Sequence, residues 1–304
     1  MSQSPRLRVA ITGASGMIGS MLAPALAASG HQVIRIVRKT AGPGEIRWDP
    51  AGAGLDPTAL RGVNAVVHLA GENIAEGRWT QARKRALLES RKLGTTLLAE
   101  AVARAPDGPK TLVSASAIGY YGERGDEELT EASPPGRGFL PEVAMAWEAA
   151  TAPAADAGAR VVPVRIGLVL SRAGGLLQRM LLPFRLGLGG RLGDGCQWMS
   201  WIAAADLIGV FRHALEGTLS GPVNAVAPEA VRNRAFTTAL GKALHRPAVL
   251  IVPRTAIRLA FGQMADEAIL ASTHVVPAVL EKAGYRFQYP ALDEALAHEL
   301  AVRP

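Results

Sequence analysis

Hydrophobic and polar positions in the first half of the chain fall into two alternating textures. Short apolar, partly β-branched runs at 7–12, 33–37, 65–69, 111–116 and 160–166 are bounded by Gly, Pro or polar residues. Such runs predict strands buried on both faces. Between them, stretches with helical spacing lie at 17–28, 80–104 and 140–157. Strands alternating with helices predict βαβ units and therefore an α/β protein with a doubly wound parallel sheet. Beyond residue 170 the texture changes: 183–195 is rich in glycine, and helices then alternate with short strands expected around Asn224, Val249 and Phe287. The organisation expected is a large domain over 1–170 and a smaller α/β substrate lobe over 171–304. The lobe would pack on the first domain, be open to interleaving with it, and share a substrate cleft with it.

Composition narrows the function classes. With 304 residues, 49% hydrophobic and 19% charged, the chain buries a large core. Its apolar stretches are broken well short of the ~20 residues a bilayer span requires, and residues 1–5 lack the basic and apolar pattern of a leader. A cytoplasmic protein with no membrane partner is expected. The single cysteine, Cys196, excludes an internal disulfide and a multi-cysteine zinc site, and is expected to be a small buried side chain. The formal charge of +7 comes from scattered cations without Lys/Arg runs interleaved with aromatics, which argues against nucleic acid and suits phosphorylated small molecules. His213, His245, His274 and His298 lack metal-ligand spacing with carboxylates, so no metal is expected.

The strongest local signal is Thr12-Gly13-Ala14-Ser15-Gly16-Met17-Ile18-Gly19, which closes the first predicted strand and opens the first predicted helix. Gly13 permits the tight turn, Gly16 admits a pyrophosphate against the backbone, and Gly19 is expected to allow close helix-to-sheet packing. The amides of Ser15, Met17 and Ile18 then face the anion. An NAD-preferring site places Asp or Glu at the end of the second strand, whereas this chain has Arg38-Lys39 there. Two cations suit the 2′-phosphate of NADP(H), Arg38 by a fork and Lys39 as a point charge; the alternative is a solvated strand end. Arg165, near the end of the run at 160–166, joins the cofactor-side candidates.

These residues resemble the extended short-chain dehydrogenases/reductases, whose fingerprint Thr-Gly-x-x-Gly-x-x-Gly is matched by residues 12–19. Further motifs are similar to an atypical subgroup known as epimerase-family proteins: His68-Leu69-Ala70-Gly71-Glu72-Asn73-Ile74, Arg78-Trp79, Ser90-Arg91, residues 114–122, Trp147-Glu148 and 182–190. Residues 233–284 resemble the small C-terminal domain of unknown function that accompanies that subgroup. The resemblance implies a Rossmann-like fold, with Leu69, Ala70 and Gly71 beside the cofactor and Arg91 projecting from the long helix toward it. It also suggests a monomer or a homodimer through the helices at 80–104 and 140–157.

The superfamily's chemistry uses a Tyr that handles a proton at a carbonyl, a Lys four residues on, and an upstream hydroxyl. Aligned on Trp147-Glu148, the Tyr position holds Leu140 and the Lys position Ala144, so the dyad is missing. Ser116 retains the upstream hydroxyl, Tyr120 or Tyr121 would supply a phenol, and Arg91 would take over part of the lysine's role; the tyrosines also read as buried anchors. His68 and Asp49 rank lower, as a backbone-satisfied histidine and a turn residue. Arg185, Arg191, Gln197 and Trp201 surround the glycine-rich segment and would admit an anionic or sugar-bearing substrate; the alternative is that Trp198 and Trp201 are core and the arginines solvated. Ala203 stands where relatives carry His. Two functions follow: an NADP(H)-dependent oxidoreductase or epimerase acting on a carbinol or carbonyl compound, nucleotide sugars included, or a non-catalytic NADP(H)-binding redox sensor.

Overall fold

The computed structural model describes residues 6–52 and 54–301; the leader reading of Met1 to Pro5 lies outside them. The predicted strands assemble into one parallel sheet of β1 (Arg8–Thr12), β2 (Gln32–Val37), β3 (Glu45–Arg47), β4 (Ala65–His68), β5 (Thr111–Ala117), β6 (Arg160–Ile166) and β7 (Val223–Ala225). Their spatial order is β7-β6-β5-β4-β1-β2-β3. From β1 the chain builds outward through β2 and β3, then crosses to start the other half with β4, which also pairs with β1. This reversal opens a crevice at the carboxyl ends of β1 and β4.

The strands are apolar on both sides because both sides are covered. Val9, Ile11, Val67 and Val113 face the helices α1 (Met17–Ala28) and, later in the chain, Ala204–Glu216, where they meet Leu22, Leu26, Leu207 and Phe211. The alternate residues Ala10, Val66 and Leu112 face α2 (Gln81–Arg104) and pack on Leu98 and Val102. Thr80 caps α2, its hydroxyl accepting the amide of Arg83 at 3.2 Å. A third cluster, with Phe184, Trp201, Phe236 and Leu296 at its centre, forms the core of the second lobe. After β6 the chain builds that lobe but returns twice: helix Ala204–Glu216 packs against α1, and β7 joins the large sheet beside β6.

Three expectations are corrected, and one strand was not foreseen. The helix expected over 140–157 is two, α3 (Phe139–Ala149) and α4 (Ala152–Asp156); Pro153, which has no amide proton, suits the first turn of a new helix rather than the interior of a long one. β3 went unpredicted because its three residues are too few for a period. No strand forms at Phe287. Instead, the carboxylate of Asp206 accepts the amides of Gln288 (2.6 Å) and Tyr289 (3.0 Å), while the Tyr285 hydroxyl donates to the Asp206 carbonyl. Cys196 is exposed, carried outward by a turn in which its amide donates to the carboxylate of Asp194. The strand expected near Val249 forms as Leu250–Val252 and pairs with Gly190–Leu192 inside the glycine-rich segment.

Candidate functional site

The glycine loop sits in the crevice at the reversal point. Gly13 has φ +67°, and a Cβ there would lie 2.9 Å from the carbonyl carbon of Leu69 and 3.0 Å from the amide of Ala70, so β1 and β4 converge only because this position is bare. Gly16 caps α1 without a side chain, and no acidic residue occupies the first turn; the first amides of the helix are thus left to an anionic ligand. At Gly19 a Cβ would strike the Gly13 carbonyl and the backbone of Ala14. The third glycine therefore lets the helix close on its own loop rather than on the sheet, a different reason from the one the spacing suggested.

Thr12 is buried and bonds to the end of β4. Its hydroxyl accepts the amides of Leu69 (3.1 Å) and Ala70 (3.3 Å) and lies 2.8 Å from Nδ1 of His68, whose Nε2 is 3.0 Å from the Thr95 hydroxyl. With two amides donating to it, the Thr12 hydroxyl donates its own proton to Nδ1, which leaves the Nε2 proton for Thr95. His68 is thus a neutral strap between β4 and α2. Its burial, reinforced by the nearby Arg91 cation, pushes its pKa down to about 4. Below pH 6.5 an unfolded His68 takes a proton that the folded chain refuses until about pH 4, so its contribution declines as pH falls through that window, by up to about 3 kcal/mol. Denaturant unfolding at pH 7 and pH 4.5 is expected to show a smaller acid-induced loss in His68→Asn than in the wild type. Equal losses would mean that the histidine does not titrate there.

Beside the loop opens a cavity of about 1100 Å³. Residues 13–16, Leu69, Ala70 and Gly71, and Arg35, Arg38 and Lys39 all line it, with Trp48 and Ser90 in the walls; because β1 lies between β4 and β2, the glycine loop separates the Leu69–Gly71 side from the Arg38–Lys39 side. Arg35 escaped the sequence reading, although its place on β2 three residues before Arg38 was a usable signal. Met17, the first residue of α1, touches Gly174, where a Cβ would lie 2.9 Å from its sulfur. Ile18 packs against the core. The charge on Arg91 is buried; its guanidinium donates to the carbonyls of Leu87 (3.1 Å) and Glu72 (3.0 Å) and lies 4.8 Å from the Trp147 ring. Burial pulls its pKa down to about 10, the Glu72 carboxylate partly opposing.

Ser116 and the tyrosines belong to a separate buried network. The Ser116 hydroxyl donates to the Glu148 carboxylate at 2.6 Å, and Arg165 clamps both oxygens of that carboxylate at 2.8 Å. The same guanidinium donates to the Tyr121 hydroxyl at 2.9 Å and stacks 3.5 Å from the Tyr120 ring centre. Tyr121 donates in turn to Asn224 on β7. The amide of Asn224 is held by Glu131, whose carboxylate also accepts the amide of Val279. Burial opposes the charge on Arg165, but the Glu148 carboxylate outweighs it and the pKa rises. Burial lifts Tyr121 to about 12, against the pull of Arg165. The cation at the phenols is thus Arg165, not Arg91. Glu131 and Asn224 were invisible to sequence reasoning, since no spacing links them.

Leu140 and Ala144 both lie on α3. Ala144 is buried; Leu140 lies against Gly119 and joins Ile74, Trp79, Leu87, Phe139 and Met264 in an apolar cluster. Asp49 is a turn residue, its carboxylate accepting the amide of Ala51. Around the glycine-rich segment, Trp201 is core, Gln197 is buried, and Arg185 and Arg191 are exposed.

A parallel sheet whose order reverses at a glycine-rich helix start defines a dinucleotide-binding α/β protein of the Rossmann type. More narrowly, the chain belongs to the NAD dependent epimerase/dehydratase family, whose profile matches residues 9–226; residues 252–299 match a domain of unknown function (DUF1731). It is 48% identical to epimerase family protein MT2273 of Mycobacterium tuberculosis over 95% of this chain and 96% of that one. It is 39% identical to human epimerase family protein SDR39U1 over 97% and 100%. The crystal structure of the human protein (isoform 2) with NADPH superposes with a TM-score of 0.89, covering 97% of this chain and all of that one at 38% identity. A nucleoside-diphosphate sugar epimerase from Corynebacterium glutamicum superposes at 0.82 with 41% identity; 98% of this chain is covered, but only 59% of that longer one. No helix among the described residues is long and apolar enough to cross a membrane.

Proposed function

We propose that this chain binds NADP(H) and acts as an oxidoreductase or epimerase on a small carbinol or carbonyl compound. The observation that carries the reading is one cavity lined both by the glycine loop and, on its β2 side, by Arg35, Arg38 and Lys39. That arrangement fits a dinucleotide with an added phosphate: Gly13 and Gly16 leave room for the diphosphate at the helix start, and the three cations would hold the 2′-phosphate. The NADPH in the human relative's structure supports the same choice. When bound, the nicotinamide would exchange hydride with a carbinol carbon. Leu69, Ala70 and Gly71 would form the wall of the dinucleotide site, and Arg91 would supply a fixed cation beside it. Ser116, whose own proton goes to Glu148 at 2.6 Å, would accept a hydrogen bond from a substrate hydroxyl, and Tyr120, stacked on Arg165, is the remaining candidate phenol. Tyr121, saturated by Arg165 and Asn224, serves as a positioning residue, and so does Arg165 through Glu148.

The test is calorimetric titration with NADPH and NADH. NADPH is expected to bind tighter, and Arg38→Ala to weaken it by about 10- to 100-fold while leaving NADH unaffected, since one charge-assisted contact contributes about 1.5–3 kcal/mol. Failure of either nucleotide to bind, or equal loss for both, would overturn the reading. A non-catalytic NADP(H) sensor is the second reading. The apolar cluster around Leu140 supports it, Leu140 being the residue that the resemblance aligns with the proton-handling tyrosine of ordinary members.

A further inference from the structure

The second lobe carries an apolar surface that its own fold leaves uncovered. Helix Gly175–Arg185 ends in a turn that projects Leu186 and Leu188, one helical turn beyond Leu182. The Leu250–Val252 strand lies against that turn through Gly190, and the amide of Leu250 reaches the Gly189 carbonyl. Val249, Leu250 and Ile251 are therefore brought beside the turn, with Leu250 on one side of the strand and Val249 and Ile251 on the other. All six side chains are exposed, Val249 at 82% and Leu186 at 65%. This strand pairs only with Gly190–Leu192 among the described residues, leaving an apolar edge of the kind proteins usually blunt or cover.

Charge around the surface is predominantly positive. Residues 176–191 and 242–254 contain six Lys or Arg and no Asp or Glu. Acids facing the area from elsewhere are few: Asp293 pairs with Lys242 at 3.3 Å, and Asp194 lies near Arg191 and Arg254. Arg185, Arg191, Arg246 and Arg254 are exposed around the leucines, and Arg246 is anchored beside them by donating to the Arg185 carbonyl at 3.0 Å. A second copy docking by a two-fold axis would bring these cations against each other. Apolar side chains that enter a headgroup layer, ringed by cations that stay in it, suit an anionic bilayer surface.

We infer that this face of the second lobe binds peripherally to anionic lipid bilayers, inserting Leu186, Leu188 and Ile251 without crossing the membrane. The protein would then work at a surface, its dinucleotide cavity remaining in the first lobe.

The test is co-flotation of the full chain with vesicles of phosphatidylcholine alone and of phosphatidylcholine with about one-third phosphatidylglycerol. Flotation is expected only with the anionic vesicles, and it should fade as salt rises toward about 1 M and shortens the Debye length. Arg185→Glu with Arg246→Glu is expected to lower partitioning at least about tenfold, since each lost cation weakens and each added anion opposes attraction. Leu188→Ser with Ile251→Ser should do the same through lost insertion, and unchanged melting temperatures would verify that both variants fold. Absence of flotation, equal flotation on neutral vesicles, or variants that float like the wild type would overturn the proposal. So would a concentration-dependent dimer in sedimentation that Ile251→Asp dissolves, because the face would then be an interface between copies.

Discussion

Arg165→Ala is expected to lower folding stability by about 3–5 kcal/mol, the range for removing one partner of a buried ion pair. The guanidinium is 4% exposed and Glu148 15%, so water cannot replace what is lost. Removing it leaves the carboxylate with the Ser116 hydroxyl but without its two forked contacts, takes a donor from the Tyr121 hydroxyl, and strips the cation from the Tyr120 ring. Arg165→Lys keeps a charge but not the fork, and should fall between the variant and the wild type. Denaturant unfolding with both midpoint and slope measured is the check. A loss below about 1 kcal/mol for Arg165→Ala would place the pair among weak surface bridges and remove the basis for regarding Arg165 as the residue that positions Glu148 and Ser116.

Gly13→Ala is expected to reduce dinucleotide binding at least about a hundredfold. A left-handed φ costs an L residue about 1–2 kcal/mol, and the new Cβ would press on the backbone of Leu69 and Ala70, which cannot swing aside as a side chain would. Relief requires the loop to move, which turns the amides of α1 away from the diphosphate. Gly187→Ala provides the control: its φ is +73° with nothing within 4 Å, so it carries the conformational cost alone. Both variants should melt lower than the wild type, and only Gly13→Ala should lose NADPH in a calorimetric titration. Wild-type affinity in Gly13→Ala would show that the loop is scaffold.

Legibility in the sequence followed the physical range of each interaction. The strand, loop and helix at 8–28 could be read because every cause is local: an apolar run, three glycines and a helical period. At Phe287 and Arg165 the cause lies far away in the chain. Phe287 has strand-like neighbours, but the acceptor for the adjacent amides is a side chain about eighty positions earlier, at Asp206. Arg165 reads as a cation near a strand end, suited to a ligand. Its carboxylate partner lies on the facing helix α3 and its phenol on the loop after β5, contacts no period encodes. Cys196 was expected inside because cysteine is a small hydrophobe, and a local turn carried it out.

The return of β7 to the sheet bears on how the protein comes into being. Val223–Ala225 closes the edge beside β6 and supplies Asn224 to the Tyr121 hydroxyl, while helix Ala204–Glu216 covers Val162 and Val164. A nascent chain that has left the ribosome only as far as Leu170 therefore holds the first six strands of the large sheet and α1, yet lacks both the second helix that covers one face and the final edge. The first lobe cannot complete its core before much of the second has been synthesised, so the two are one folding unit despite their separate cores.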